Sequence, residues 1–299
     1  MTHSVSYCSE LSRAQSEEIY GTAARIDTWL LLEHPPAWSA KSFPDDRLPA
    51  DIQKRLNLLA ELTPRCRRLL IRQRHQRGEE LHCFLISSRE QNERIFRITA
   101  NSYEDLLSFG PASLDRHPGA APWTEPLYLV CTHGRHDKCC AKFGFSTYRA
   151  VRKLTQANAW ECSHVGGDRF AANLICLPHG IYYGNVFPED AEALVTAYKQ
   201  GKIALKHYRG RSCYSRTAQI GEYFIRSESG LLGLDDFSFL GSAVLEENVW
   251  QVQFLSCLTA EIHEVEFRTR DLEFSEYLTC NAVSPKPVAQ YELSAYRVR

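Results

Sequence analysis

The chain has 299 residues, of which 44% are hydrophobic and 24% are charged, with a formal net charge of −1. This composition is typical of a globular protein with one large domain or two. A net charge so close to zero excludes an overall electrostatic attraction to nucleic acid or to an anionic membrane.

The eleven cysteines are the unusual feature of the composition. The first 21 residues lack the charged-then-apolar order of a signal peptide, and no apolar run approaches the ~20 residues that cross a bilayer. These observations predict a cytoplasmic protein, in which clustered cysteines indicate a metal site or catalysis rather than disulfides. Seven cysteines lie singly and are predicted to be small, inert core side chains: Cys8, Cys66, Cys83, Cys176, Cys213, Cys257 and Cys280.

The N-terminal part of the chain mixes helical and extended patterns. A helix is predicted around Ser16–Ile26 and another over residues 50–62, where apolar residues recur at helical spacing. Three short runs rich in β-formers follow, "RLLIRQR", "LHCFLISS" and "RIFRITA". Residues 108–125 are rich in proline, glycine and alanine, which predicts a linker or long loop and a domain boundary.

A regular alternation of elements follows this segment. "PLYLVCT" predicts a strand, and the next helix carries Phe145, Tyr148, Val151 and Leu154 on one stripe. "AWECSH" predicts a second strand, and "NLICLP", "HG" and "IYYGNV" predict a β-hairpin. A last helix is predicted to end at Gly201. A parallel β-α-β unit followed by a hairpin and a helix is the core of a thioredoxin-like fold.

The sequence therefore predicts an α+β protein with three parts. Residues 1–122 form an N-terminal region of mixed α and β structure, and residues 123–228 form a thioredoxin-like domain. Residues 229–299 are mostly strand-like and form a β-rich C-terminal extension.

Two loops of the predicted β-α-β unit contain unusual side chains. The ends of neighbouring parallel strands lie close together, so both loops are expected at one edge of the sheet. Thiolate and imidazole ligands suit zinc or an iron–sulfur cluster. Adjacent cysteines diverge, so only one of the pair at 139 and 140 is expected to bind. The candidates are Cys131, Cys139 and Cys140 in the first loop, and Cys162, His164 and Asp168 in the second.

The segments "VCTHGRHDKCCAKFG", "SHVGGDRFAANLICLPHGIYYGNV" and "RGRSCY" resemble the sucrase/ferredoxin-like family, which is related to thioredoxin-like [2Fe–2S] ferredoxins. The resemblance is close over roughly residues 126–225, and the N-terminal segment is similar to the family as well. It implies a thioredoxin-like [2Fe–2S] ferredoxin domain.

The resemblance also implies a set of cluster ligands. Cys131 and Cys140 correspond to the first two cluster ligands, and His164 and Asp168 stand at the positions of the second pair. Some members of the family have histidine at both of these positions, so Asp168 is a departure. The fourth ligand is left open among Asp168, Cys162 and Cys139.

Three functions follow as hypotheses. The first is an electron-transfer protein with one [2Fe–2S] cluster on mixed Cys/His ligands, with proton-coupled redox chemistry and a redox partner protein. It would be an electron carrier rather than a stand-alone enzyme, with no catalytic residues. The alternatives are a zinc-binding structural module and a thioredoxin-like thiol–disulfide oxidoreductase, although no C-x-x-C precedes the helix. Neither nucleic acid nor a membrane is expected as a partner, and the oligomeric state is left open.

Overall fold

A computed structural model describes residues 7–40, 48–73, 80–108, 120–270 and 274–299. In these ranges the helices are α1 (Cys8–Ala14), α2 (Ala50–Glu61), α3 (Lys138–Thr155), α4 (Ala191–Lys199) and α5 (Arg216–Ser229). The first eight strands are β1 (Thr28–Glu33), β2 (Cys66–Arg72), β3 (Leu81–Ser87), β4 (Arg94–Ala100), β5 (Ala120–Trp123), β6 (Leu127–Cys131), β7 (Ala159–Cys162) and β8 (Leu174–Leu177). The others are β9 (Ile181–Tyr183), β10 (Tyr208–Arg211), β11 (Phe237–Glu246), β12 (Val249–Ser256), β13 (Ile262–Thr269), β14 (Ser275–Glu276), β15 (Lys286–Pro287) and β16 (Tyr291–Val298).

Ten strands form one sheet in the order β10-β9-β8-β6-β7-β2-β1-β3-β4-β5. The strands of the N-terminal region join those of the thioredoxin-like unit where β2 pairs with β7 in antiparallel orientation, with Ile71 opposite Cys162 and Arg72 opposite Glu161. Backbone hydrogen bonds thus continue from one region into the other. The division at residues 122/123 stays a prediction.

The β-α-β and hairpin arrangement predicted from the sequence is present. β6 and β7 are parallel and are joined by α3, while β8 and β9 form an antiparallel hairpin followed by α4. The order β9-β8-β6-β7 places the hairpin on the side of β6 away from β7. This α+β arrangement, with further β structure after α5, confirms the predicted fold class.

Helix α3 begins at a capping residue and packs one face on the sheet. The Asp137 side chain accepts a hydrogen bond from the Cys139 backbone N–H at 2.8 Å, which satisfies one of the unpaired N–H groups at the helix start. The predicted stripe is partly shifted, because Tyr148 and Val151 are buried whereas Leu154 is 36% exposed. The buried face of α3 also includes small or polar residues at Gly144, Thr147 and Thr155, and apolar spacing does not reveal these.

Two predictions near the N-terminal region need correction. The helix around Ser16–Ile26 is wrong: α1 ends at Ala14, and Gly21 adopts a φ of +74° in a turn packed on Ile220. Such a left-handed backbone interrupts a helix. Of the predicted linker, residues 109–119 lie outside the described residues, and Ala120–Trp123 form the edge strand β5.

The C-terminal extension is a second, four-stranded sheet in the order β11-β12-β13-β16. Helix α5 covers it, and the aromatic and aliphatic side chains between them include Ile220, Val252, Phe254, Val265 and Phe267. Among the helices in the described ranges, none has the length and apolar character needed to cross a membrane.

Candidate metal centre

The four residues expected to bind a metal lie at the ends of two neighbouring strands. Cys131 is the last residue of β6, and Cys140 lies in the first turn of α3. His164 follows β7 by two residues, and Asp168 begins a short 3₁₀ helix. Because Cys131 and Cys162 are directly in register on the parallel strands, the two loops leave the sheet at the same edge.

The donor atoms of these residues converge. Ligand atoms of Cys131, Cys140 and His164 all lie within 4.8 Å of one another. Asp168 Oδ1 lies 3.0 Å from His164 Nδ1 and accepts a hydrogen bond from Cys140 Sγ at 3.4 Å. The two thiols and the imidazole therefore converge, and the Asp168 carboxylate contacts the Cys140 and His164 side chains.

The donor set fits a metal by its chemistry and its burial. Cys131, Cys140 and Asp168 are buried, and the His164 side chain is only 14% exposed. His164 Nδ1 is paired with Asp168 Oδ1 at 3.0 Å. These are also ligand types that zinc and iron–sulfur centres use.

The charges in the cluster are strongly coupled. A hydrogen bond from Cys140 lowers the pKa of the Cys131 thiol well below its usual value, against the effect of burial and with help from His164. Burial lowers the pKa of His164, but Asp168 and Cys131 outweigh it and raise that pKa to about 9. Burial alone would raise the pKa of Asp168, yet the facing His164 holds it below its usual value. Without a metal, these shifts favour a thiolate at Cys131 and a carboxylate at Asp168 facing a protonated His164.

The Cys140 thiol shifts in the opposite direction. Its pKa is raised well above the usual thiol value by its hydrogen bond to Cys131, by burial and by the negative charges nearby. A metal cation at this point would replace the positive charge of the imidazolium and favour ionisation of both thiols.

Glycines allow the two loops to approach this point. A Cβ on Gly144 would overlap the carbonyl oxygen of Cys131, so this glycine lets α3 lie against the end of β6. Gly166 and Gly167 have φ values of +91° and +77°, which only glycine adopts without strain. They form the turn between His164 and Asp168.

Arg209 has a structural role that the sequence did not reveal. Its buried guanidinium donates hydrogen bonds to the Gly166 carbonyl at 3.2 Å, to Asn173 Oδ1 at 2.7 Å and to the Thr22 carbonyl at 2.6 Å. It therefore supports the glycine turn from behind and connects it to the N-terminal segment.

Two more histidines flank the cluster. His133 Nδ1 accepts a hydrogen bond from the His164 backbone N–H at 3.3 Å, so its Nε2 carries the proton that faces the Ser39 carbonyl at 2.6 Å. Both of its nitrogens are therefore used. His136 stacks on His164 with ring centroids 3.8 Å apart, and its donor atom lies within 4.8 Å of those of His164 and Asp168. It is an additional candidate ligand.

The other two candidates lie elsewhere. Cys162 is buried in the core beside the cluster, but it belongs to none of the groups of converging donor atoms found in the described ranges. Cys139 points away from Cys140 and meets Cys8 and Cys280 instead, so the adjacent side chains diverge as expected. Cys8 and Cys280, predicted as single core side chains, belong to one core cluster with Cys139. No local pattern marks their contact, because the three cysteines are far apart in the chain.

Comparisons with known proteins find curated relatives that are similar to part of this chain. It is 38% identical over 98 residues to Altered inheritance of mitochondria protein 32 from Meyerozyma guilliermondii, covering 29% of this chain and 35% of the relative. The protein of the same name from Saccharomyces kudriavzevii is 30% identical over 96 residues, covering 27% and 31%. The chain thus matches about a third of the length of these curated relatives.

The comparison with solved structures is weaker. Crystal structures of two variants of the thioredoxin-like [2Fe–2S] ferredoxin from Aquifex aeolicus match 29% of this chain and 100% of theirs, with 17% identity and a TM-score of 0.26. A likeness this distant carries no argument about function.

These comparisons overturn the predicted function of an electron-transfer protein with one [2Fe–2S] cluster. The curated relatives have a different name, and the ferredoxins are only distant structural neighbours. The structure and comparisons support Cys/His clusters that are compatible with a metal. The family itself is clear, because the sucrase/ferredoxin-like model matches residues 19–210. The chain therefore belongs to the sucrase/ferredoxin-like family.

Proposed function

We propose that this chain is a metal-binding protein whose metal centre is held by Cys131, Cys140, His164 and Asp168. The observation that carries the proposal is the convergence of these donors from two loops. Three donor atoms lie within 4.8 Å of one another, and Asp168 Oδ1 lies 3.0 Å from His164 and 3.4 Å from Cys140. Four protein ligands is the number that closed zinc sites and [2Fe–2S] clusters both use.

The electrostatics of the cluster support the same proposal. Asp168 and Cys131 raise the pKa of His164 to about 9, and the pKa values of Cys131 and Asp168 are themselves lowered. Isolated buried charges are costly, and here a proton on His164 compensates the negative charges of Cys131 and Asp168. A metal cation would supply that positive charge, and the imidazole and both thiols would lose their protons on coordination.

The finer prediction for the cofactor is a [2Fe–2S] cluster, with zinc as the alternative. Either centre would join the loop after β6 to the loop after β7. In either case Arg209 and the two glycines fix the turn that carries His164 and Asp168, and Gly144 lets α3 bring Cys140 to the strand end.

Metal analysis of the full chain tests the proposal. Protein purified without oxygen is assayed for iron, acid-labile sulfide and zinc per chain, for the wild type and for Cys131→Ser. We expect the variant to lose the metal of this centre, because one of its four ligands is removed. Iron with equal sulfide would identify a cluster, and zinc without sulfide would identify a mononuclear site.

Cys176→Ser is the matched control. Cys176 is equally buried, but it lies in β8 among apolar side chains, and burial raises the pKa of its thiol beyond the usual range. It should keep the metal of the wild type. Equal metal content in wild type, Cys131→Ser and Cys176→Ser would contradict the proposal.

Compartment and partners stay proposals that rest on the sequence. We propose a cytoplasmic protein with a protein partner and without nucleic-acid or membrane partners, in keeping with a net charge of −1. Fractionation of cells that express the tagged chain tests the compartment.

A further inference from the structure

Three cysteines that are distant in the chain meet beside the first turn of α3. Cys8 lies in α1, Cys139 is the second residue of α3, and Cys280 lies in the segment after β14. Their Sγ atoms form a triangle with sides of 3.5 Å for Cys8–Cys139, 3.1 Å for Cys139–Cys280 and 3.5 Å for Cys280–Cys8. We call this group the cysteine triangle.

The triangle is not a disulfide. All three cysteines are free, and their separations exceed the roughly 2.05 Å of an S–S bond. A disulfide would use two thiols and leave the third alone in a buried position. A single metal ion uses all three.

The triangle matches one face of a tetrahedral thiolate site. Zinc binds thiolates at ~2.3 Å, which separates them by about 3.8 Å, so the three sulfurs would need to move apart by only about 0.3–0.7 Å. Ser9 Oγ donates a hydrogen bond to Cys139 Sγ at 3.2 Å, the kind of contact that supports a metal-bound thiolate.

Asp137 supplies a fourth donor. Its carboxylate lies within 4.8 Å of the three sulfurs as a member of the same group, and it is 2% exposed. Oδ1 accepts the Cys139 backbone N–H at 2.8 Å, and Oδ2 accepts that of Cys280 at 2.7 Å. These two bonds fix the position of both cysteines, and each carboxylate oxygen keeps a further lone pair for a metal.

We propose that Cys8, Cys139, Cys280 and Asp137 form a second metal site, distinct from the centre at Cys131, which takes a divalent ion that prefers thiolates, such as Zn²⁺. The ion binds as the three thiols release their protons to solvent, and Arg13 interacts electrostatically with Cys8 and Cys139. Cys280 is only half-buried, which leaves a route for the ion from solvent.

The bound ion would link three segments that are distant in the chain. Cys8 and Cys139 are 131 residues apart, and Cys139 and Cys280 are 141 residues apart. One ion would hold helix α1 and the C-terminal segment to the start of α3. The same turn of α3 carries Cys140, so the ion would also stabilise the neighbouring centre at Cys131 and Cys140.

Zinc titration of the full chain tests this inference. The chain is stripped with a chelator and titrated with Zn²⁺, with bound metal and released protons measured together. On the background Cys131→Ser/Cys140→Ser, which removes two ligands of the other centre, we expect one zinc per chain to remain. Adding Cys8→Ser/Cys280→Ser should weaken that binding by more than about 100-fold, because even side chains behind metal ligands contribute 10–100-fold.

Single substitutions in the otherwise native chain keep the test valid if the multiple variants fail to fold. Zn²⁺ should raise the Tm of the wild type and of Cys257→Ser, whose cysteine is exposed, more than the Tm of Cys280→Ser. Equal zinc binding and equal Tm shifts in Cys280→Ser and Cys257→Ser would overturn the inference, as would a disulfide within the triangle that persists in zinc-saturated protein.

The experiment can reject the centre at Cys131 and the site at the cysteine triangle independently of each other. Loss of metal only in Cys131→Ser/Cys140→Ser would support the first centre and reject the second. Loss only in Cys8→Ser/Cys280→Ser would do the reverse.

Discussion

The first turn of α3 separates two clusters that differ in origin. The centre at Cys131 and Cys140 takes its residues from one β-α-β unit, and the hydrogen-bonded sheet fixes both of its loops. The cysteine triangle takes one residue from α3, one from α1 and one from the C-terminal segment. The first cluster is mixed in chemistry and strongly charged, whereas the second is mainly thiol.

The difference shows how two adjacent cysteines belong to two side-chain clusters. Successive side chains on an α-helix point about 100° apart, so Cys139 and Cys140 face different neighbours. Strand pairing holds the first cluster together without a metal. The second is held by side-chain contacts between distant segments, so it should depend more on a bound ion.

The largest expected effect comes from substituting the adjacent residues Cys139 and Cys140 one at a time. Cys140→Ser should weaken metal binding at the first centre by more than about 100-fold, because it removes a ligand rather than a supporting residue. Cys139→Ser should leave that centre within a few-fold of the wild type and disrupt the triangle. Competition with a chelator of known affinity measures both. Similar losses in the two variants would show that the two cysteines serve one site.

A smaller effect is expected from a larger side chain at the place where α3 packs against the end of β6. Gly144→Ala adds a Cβ that overlaps the Cys131 carbonyl, so the helix must shift away from the strand end. Overpacking of this kind costs about 1–3 kcal/mol of unfolding free energy, and it should weaken the first centre more than the triangle.

Gly241→Ala is the control for that substitution, because nothing lies within 4 Å of the added Cβ. Its unfolding free energy in urea should stay within about 0.5 kcal/mol of the wild type. If the two glycine variants are equally stable, the close approach is not what positions Cys140.

The last expected effect is a pH dependence that belongs to neither cluster. Burial, with Arg211 nearby, lowers the pKa of His179 to about 4. As the pH falls below the ordinary histidine value of 6.5, the unfolded chain binds a proton that the folded chain refuses. The stability present above pH 6.5 is therefore lost progressively down to about pH 4.

His179→Phe should reduce this slope by up to about 1.4 kcal/mol per pH unit. It also removes the 2.7 Å hydrogen bond between His179 Nδ1 and the Tyr198 hydroxyl, so the change in slope and not the absolute stability is the readout. Urea unfolding at several pH values between 4 and 7 measures it in protein stripped of metal. Parallel pH profiles for variant and wild type would remove His179 as the cause.

Much of the thioredoxin-like unit was predictable because its signals are local. The hairpin turn before Ile181 and the strand that ends at Cys131 both appear where the pattern placed them. The family resemblance selected Cys131, Cys140, His164 and Asp168; the structure groups the first three, and Asp168 contacts His164 and Cys140. Their role as ligands stays a prediction.

The long-range features were not predictable. The pairing of Ile71 with Cys162, which joins two sets of strands, leaves no mark in either segment. The same holds for Cys8 and Cys280, whose isolated positions suggested inert core residues. The helix around Ser16–Ile26 failed because a turn that packs Gly21 on α5 overrides the local helical pattern.

The junction between β2 and β7 has a consequence for how this protein can be divided. Arg72 and Glu161 form a buried ion pair across it at 3.3 Å, and Glu161 also accepts a hydrogen bond from the Thr132 hydroxyl at 2.7 Å, next to Cys131. A fragment that begins at residue 123 would keep both loops but would turn β7 into a bare edge and would remove Arg72, the ion-pair partner of Glu161. Such edges recruit strands from other molecules. The N-terminal strands therefore cover an edge of β7 that would otherwise be open to self-association.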